Sequence, residues 1–291
     1  MGAIAYVTDS KMLELHRLNA HKTMNFWRLT AKTAFTDFEK GDLVFFLSKD
    51  KAHMSSRREK GIVGYGRLES VHVASLQTMW KNYGIYNGYN SLEEFKGALL
   101  KVNKGKEVPR KISSLYLTDV SFFQVPIYLS ECGMKISNSV ESYVYLKPEE
   151  VTIRILEKAK GLQDLWSTDE DTASIEKDEL RCALFLTQRR CGDLPLSDKA
   201  LRKAARTLKA VEGYELIPHA KTAAYKIDEE GISILFYHDK DIDPRLLLGQ
   251  IQCYRYYMNQ IIQKEIPMRF QISDRDPELG SMIEYTDPKE V

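Results

Sequence analysis

A change of rhythm near the acidic stretch Ser167-Thr-Asp-Glu-Asp-Thr-Ala constrains this chain more than any other feature of its sequence. Before it lie five short runs rich in Val, Ile, Tyr and Phe: AIAYV, DLVFFLS, GIVGYGRLESV, SLYLTDVSFF and SYVYL. Gly, Asp, Asn and Pro bound them, so they read as strands, and five short strands suggest a small barrel. Two helices interrupt this series. One is expected over Lys11 to Asn19; the other runs over Leu92 to Val102, opened by Ser91 with Glu94 at the capping-box spacing. After the acidic stretch the pattern turns helical. It predicts a helix near Ile175 to Gln188, a second over Asp198 to Val211, and a hairpin of Ala223 to Ile227 with Ile232 to Tyr237. A long helix from Pro244 to Lys264 follows. The hairpin turn, Asp228-Glu-Glu-Gly, ends in a glycine able to take positive φ. The expected fold class is α+β: a small β-barrel domain over 1–162, an acidic linker over 163–177, and a mixed α+β domain over 178–291.

Composition narrows the partner classes. The chain has 291 residues, 43% apolar and 29% charged, which excludes disorder, collagen and a coiled coil as whole-chain descriptions. Lys and Arg number 42 against 41 Asp and Glu, a net charge of +1, so any nucleic-acid surface must come from local clustering. The longest apolar runs, such as Ala3 to Val7 and Leu43 to Leu47, fall far short of the roughly 20 residues that span a membrane, so no membrane partner is expected. The start MGAIAYVTDSK lacks the basic head and apolar middle of a signal peptide, which makes the cytoplasm the expected location. Cys132, Cys182, Cys191 and Cys253 form no C-x-x-C pair and read as reduced thiols.

Several signatures fail on inspection. Gly64-Tyr-Gly66 begins like a dinucleotide loop, but Glu69 stands where the third glycine belongs; it reads better as a strand whose glycines permit close packing. Asp239-Lys-Asp241-Ile-Asp243 has Pro244 at the calcium-loop glycine and Gln250 at the bidentate Glu. Phosphate-loop, zincin and G-x-S-x-G hydrolase motifs are absent from the sequence.

Four segments taken in order are more informative. They are Asn25-Phe-Trp27-Arg28, then Phe38-Glu-Lys-Gly41-Asp42-Leu-Val-Phe-Phe46, then Gly61-Ile-Val-Gly64-Tyr-Gly66, then Met79-Trp80-Lys-Asn-Tyr83-Gly84-Ile-Tyr-Asn87-Gly88. With Leu117 to Phe123 and Ser137 to Tyr145, this order resembles the N-terminal PUA-like domain of bacterial HNH restriction endonucleases, over residues 20 to 145. That superfamily includes EVE, YTH and SRA-type domains, and the resemblance implies an aromatic pocket that holds a flipped or unpaired, modified base. It points to a restriction or defence role, with DNA favoured over RNA as partner. The base-binding candidates it implies are Asn25, Trp27, Tyr65, Trp80, Tyr83 and Asp119, with Arg28, Lys49, Arg57, Arg58 and Lys60 for phosphates.

The C-terminal part shares no such pattern. HNH chemistry would want paired His, an Asn and a final His, whereas only His219 and His238 occur there. A weaker similarity is to PD-(D/E)XK nucleases of RecB type, through Asp228, His238-Asp239-Lys240 and Gln250-x-x-x-Tyr254. His238 occupies the place of their metal-binding acid. A diverged nuclease of this kind would use Mg and draw on Asp228, Asp239 and Glu215; otherwise no cofactor is implied. The alternative is a non-enzymatic protein that binds RNA or a small ligand. Spacing alone supplies one further candidate: Lys199, Arg202, Lys203 and Arg206 form one stripe of the helix from Asp198, suited to phosphates.

Overall fold

The computed structural model describes residues 2–29, 38–48, 59–162, 164, 169–228, 230–262, 266–274, 279 and 283. The chain divides into two compact units, Met1–Asp178 and Glu179–Val291.

The first unit is built on one six-stranded sheet. Its strands are β1 (Ala3–Thr8), β2 (Met24–Arg28), β3 (Leu43–Ser48), β4 (Gly61–Ala74), β5 (Ile112–Tyr128) and β6 (Tyr143–Tyr145), in the order β2-β5-β4-β3-β1-β6. All pairings are antiparallel except β1 with β3, which run parallel with Tyr6 beside Phe46. Helix α1 (Ser10–Leu18) starts at Asp9, whose carboxylate accepts from the Lys11 backbone N–H at 3.2 Å. Helix α3 (Leu92–Val102) begins where the capping box predicts. Ser91 Oγ accepts from Glu94 N at 3.1 Å, and the Glu94 carboxylate reaches back to Asn90 N at 3.2 Å. Helices α2 (Leu76–Tyr83) and α4 (Glu150–Ala159) complete the covering of the sheet.

Strands β4 and β5 are long, at 14 and 17 residues, and their pairing slips at three points. Bulges of this kind bend a strand and increase its twist. The glycines of Gly64-Tyr-Gly66 sit at these slips: a Cβ on Gly64 would meet the Ser121 carbonyl oxygen at 2.5 Å, and one on Gly66 would meet Leu117 Cβ at 3.1 Å. Opposite them Asp119 takes φ of 50° and accepts from Arg67 Nε at 3.3 Å. Asp is among the few residues that enter this region readily.

The bending rolls the sheet. In a flat sheet β2 and β3 would lie three strand spacings apart, about 14 Å. The rings of Phe26 and Phe46 on those strands stack at 6.0 Å, and Tyr6 on β1 meets Phe26 edge-on at 5.0 Å. Yet β2 and β6 end the strand order, and among the described residues they are not paired as neighbouring strands. The closed barrel expected from the sequence is therefore an open roll. Side chains stand in the gap between β2 and β6, where backbone pairing would have closed it.

The second unit holds a four-stranded sheet in the order β10-β9-β8-β7. Strands β7 (Glu215–Leu216), β8 (Ala223–Asp228) and β9 (Gly231–Phe236) form an antiparallel meander; β10 (Met268–Ile272) returns parallel to β9 after helix α7 (Pro244–Ile261). Asp243 caps α7 and Pro244 occupies its first turn, where a missing N–H costs nothing. Helix α6 runs over Asp198–Lys209. Helix α5 (Asp169–Cys191) begins within the stretch expected to be a linker, and the boundary between the units falls inside it. The buried ring of Tyr254 sits edge-on to Phe236 at 5.0 Å and donates its hydroxyl to Gln188. Asp193 accepts from Lys221 N at 2.8 Å and from Thr222 N and Oγ1 at 3.0 Å each, fastening the loop before β8.

Candidate functional site

The gap in the rolled sheet opens onto a cavity of about 370 Å³, a size that suits a small planar ligand. Period-two alternation puts Met24, Phe26 and Arg28 of β2 on one face, and Phe26 and Arg28 both line the cavity with Trp27. Tyr6 comes from β1 and Tyr143 from β6, directly paired across the strands, and their rings stack at 5.7 Å. Tyr6, Phe26 and Tyr143 thus give the gap aromatic walls.

Arg28 is the cation of this site. It is only 5% exposed, and burial pulls its guanidinium below its ordinary value, while the phenols of Tyr6 and Tyr143 oppose that shift. The reciprocal effect appears at Tyr6, whose hydroxyl is raised by burial and pulled back by Arg28. Two carboxylates also line the cavity. Asp9 is engaged, accepting from Lys11 N and from the Tyr89 hydroxyl at 3.1 Å; Glu141 is exposed at the rim. The arrangement can lay a flat ring against an aromatic side chain, offer N–H donors from inside, and offer a carboxylate acceptor at the mouth.

Of the described residues singled out from sequence, Trp27 and Arg28 line this cavity and the others are placed elsewhere. Trp27 is 8% exposed, with its indole between Tyr89 at 6.3 Å and Phe95 at 5.7 Å. Asn25 is fully buried and donates to Asn87 Oδ1 at 2.8 Å; Asn87 in turn donates to the Gly84 carbonyl at 2.8 Å. Two separate motif pieces are therefore bonded to each other, pinning β2 to the turn after α2. Tyr65 is fully buried, packed on Phe45, and donates to Asp178 at 3.0 Å. Trp80 packs half-buried against Phe95, and Tyr83 lies between His72 and Tyr116. Asp119 stays at its bulge with Arg67. Lys60 donates to the carbonyls of Asn138, at 2.9 Å, and Val140. Lys49, Arg57 and Arg58 lie outside the described residues.

The residues that sequence reasoning passed over are Tyr6, Phe26, Tyr143 and Glu141. All four sat in strand runs or motif segments already noted. Parity along each strand would have put Tyr6, Phe26 and Arg28 on inward faces, but nothing local says which strands flank the opening.

In the second unit Lys199, Arg202, Lys203 and Arg206 are all exposed along α6, with Ala204 and Leu208 buried on the opposite side. Lys203 pairs with Asp239 at 2.5 Å, and Arg202 Nε donates to the Asp198 carbonyl at 3.2 Å. The three acids of the nuclease reading are engaged separately. Asp228 binds Lys226 and Arg269 at the hairpin end of β8; Glu215 accepts from Tyr225 at 3.1 Å; Asp239 lies beyond the far end of β9, held by Lys203 and Tyr237 below its ordinary pKa, at about 2. Among the described residues no three His, Cys, Asp or Glu side chains converge to hold a metal. No helix of the described residues is long and apolar enough to cross a membrane.

No family model matches the chain, and no curated protein does. Among solved structures, the ASCH protein of Zymomonas mobilis is similar at 15% identity and a TM-score of 0.39, covering 56% of this chain and 96% of that one. Two single-residue variants of the same protein give 14% identity, TM-scores of 0.36 and 0.37, and coverage of 56% of this chain with 99% and 96% of theirs. These are distant likenesses.

Proposed function

We propose that the first unit is a nucleic-acid-binding module that takes one unpaired or flipped base, modified bases included, into the cavity lined by β1, β2 and β6. The observation that carries this is the cavity's make-up: aromatic walls from Tyr6, Phe26 and Tyr143 around the buried guanidinium of Arg28. A base outside its stack loses a few kcal/mol, and stacking on an aromatic side chain returns about 1 to 3 kcal/mol per stacked base. The exposed cations of α6 supply a separate, sequence-independent attraction to phosphates. DNA is the favoured partner and restriction or defence the favoured setting, both resting on the motif order of residues 20 to 145 rather than on the cavity.

Fluorescence anisotropy with labelled oligonucleotides tests this. A strand with an unpaired or mismatched base should bind more tightly than the matched duplex, and Tyr143→Ala should weaken that preference by about 1 to 3 kcal/mol. Trp80→Ala, which changes an aromatic outside the cavity, should leave the preference in place. Equal weakening by both variants, or no preference in the unchanged protein, would remove the cavity from the reading.

A further inference from the structure

We infer that the base this cavity selects is guanine, as a free nucleotide or within a strand; the inference rests on the base-binding reading above and sharpens it. The reasoning starts from what Arg28 can offer. A guanidinium carries N–H donors in a fixed fork and no acceptor, so the ligand edge that meets it must present acceptors. Arg28 is 5% exposed and lines the cavity, on the same face of β2 as Phe26, so its fork belongs to the interior rather than to the surrounding solvent. Guanine presents N7 and O6 as adjacent acceptors on one edge. Adenine replaces O6 with an amino donor, which would face the guanidinium donor to donor.

A second group reads the next edge. Glu141 lines the same cavity from the rim, and an ionised carboxylate only accepts. Next to its acceptor edge guanine carries two donors, N1–H and the N2 amino group. Uracil and thymine also show carbonyl acceptors, but have a single N–H to offer; cytosine pairs an amino donor with its carbonyl. The combination of a donor-only group inside and an acceptor-only group at the mouth therefore fits guanine best, with the rings of Tyr6, Phe26 and Tyr143 tolerant of any base. Asp9, the other carboxylate lining the cavity, is held by the cap of α1 and by Tyr89 and keeps that structural role.

The test uses the full chain and intrinsic fluorescence titrations with GMP, IMP, AMP, CMP and UMP, repeated with oligonucleotides carrying each base unpaired. GMP should bind about tenfold or more tightly than AMP, and IMP, which lacks the N2 amino group, should fall between them. Glu141→Gln should narrow the gap between GMP and IMP, since that exposed side chain can change without disturbing the core. Arg28→Lys should narrow the gap between GMP and AMP; if that variant fails to fold, 7-deaza-GMP, which lacks N7, replaces it on the unchanged protein and should lose most of the preference. Selectivity that appears only in oligonucleotides would assign the base to a strand; selectivity for GMP alone would assign it to a free nucleotide. Binding of all five nucleotides with equal strength would overturn the guanine assignment while leaving the base cavity standing. No binding of any base, in either form, would overturn both.

Discussion

His16 shows how a single buried side chain can set the acid limit of this fold. Its ring is fully buried on α1, with Nδ1 3.0 Å from Nδ1 of His21, so only one of those two nitrogens carries a proton. Burial first, and His21 second, hold its pKa down at about 3, against an ordinary value of 6.5. The folded protein thus keeps the ring neutral where the unfolded chain would protonate it. The stability it protects is whole above pH 6.5 and is lost as the pH falls from there toward 3, because the unfolded state then binds the extra proton. At pH 4 the loss amounts to about 3 kcal/mol. Asp42 works in the opposite sense: it is raised to about 6 by burial, so between pH 6 and 4 the fold gains by protonating it. The two are separated by comparison with His16→Gln. Urea unfolding at pH 7.5 and pH 4 should show the variant losing less stability on acidification than the unchanged protein, by about 3 kcal/mol, with Asp42 contributing equally to both. Parallel pH profiles would mean that His16 titrates normally in the fold.

At the scale of elements, α6 is the clearest case of a sequence pattern surviving intact into structure. Ser197 caps it by accepting from Ala200 N at 3.3 Å, one face buries Ala204 and Leu208, and the basic stripe is exposed as its spacing predicted. Replacing Arg202 and Arg206 by Gln should reduce the slope of log affinity against log salt by about one per lost phosphate contact, uniformly across sequences. Lys203→Gln should add less, since Asp239 already neutralises it. A slope unchanged in the double variant would leave α6 with a solvated face and nothing more. Legibility followed the same logic elsewhere. Helix α3 could be read because Ser91 and Glu94 cap it locally, and β1, β3, β4 and β5 because each is a run of β-formers between turns. Strand β2 was legible as a motif but not as a strand: all five of its residues are buried, so no polar and apolar alternation marks it. Helix α4 buries Val151, Thr152, Ile153 and Ile155, a crowd of β-branched residues that propensity alone assigns to a strand. The cavity was legible only in part, since Trp27 and Arg28 adjoin Phe26 in one segment, while Tyr6 and Tyr143 reach it through a pairing of β1 with β6 that no local signal encodes.

For the molecule as a whole, the informative feature is that the division between its two units falls at Asp178 and Glu179, within the continuous helix α5. Asp178 is fully buried within the first unit, where it takes the Tyr65 hydroxyl at 3.0 Å and pairs with the guanidinium of Arg67. A buried pair of this kind is worth little against an apolar substitute, but removing one partner alone strands the other and costs about 3 to 5 kcal/mol. Arg67→Met should therefore destabilise the first unit sharply, leaving the carboxylate with a hydroxyl where a cation had been. Each unit has its own sheet and its own buried core, so the damage should not be shared equally. The sequence supplies the means to see this: Trp27, Trp80 and Trp166 all precede the boundary, so tryptophan fluorescence follows the first unit, while circular dichroism at helical wavelengths follows both. In Arg67→Met the urea midpoint by fluorescence should fall by roughly 1 M, while part of the dichroic change keeps its original midpoint. If both signals moved together by the same amount, α5 would be transmitting the loss, and the chain would unfold as one cooperative body despite its two cores.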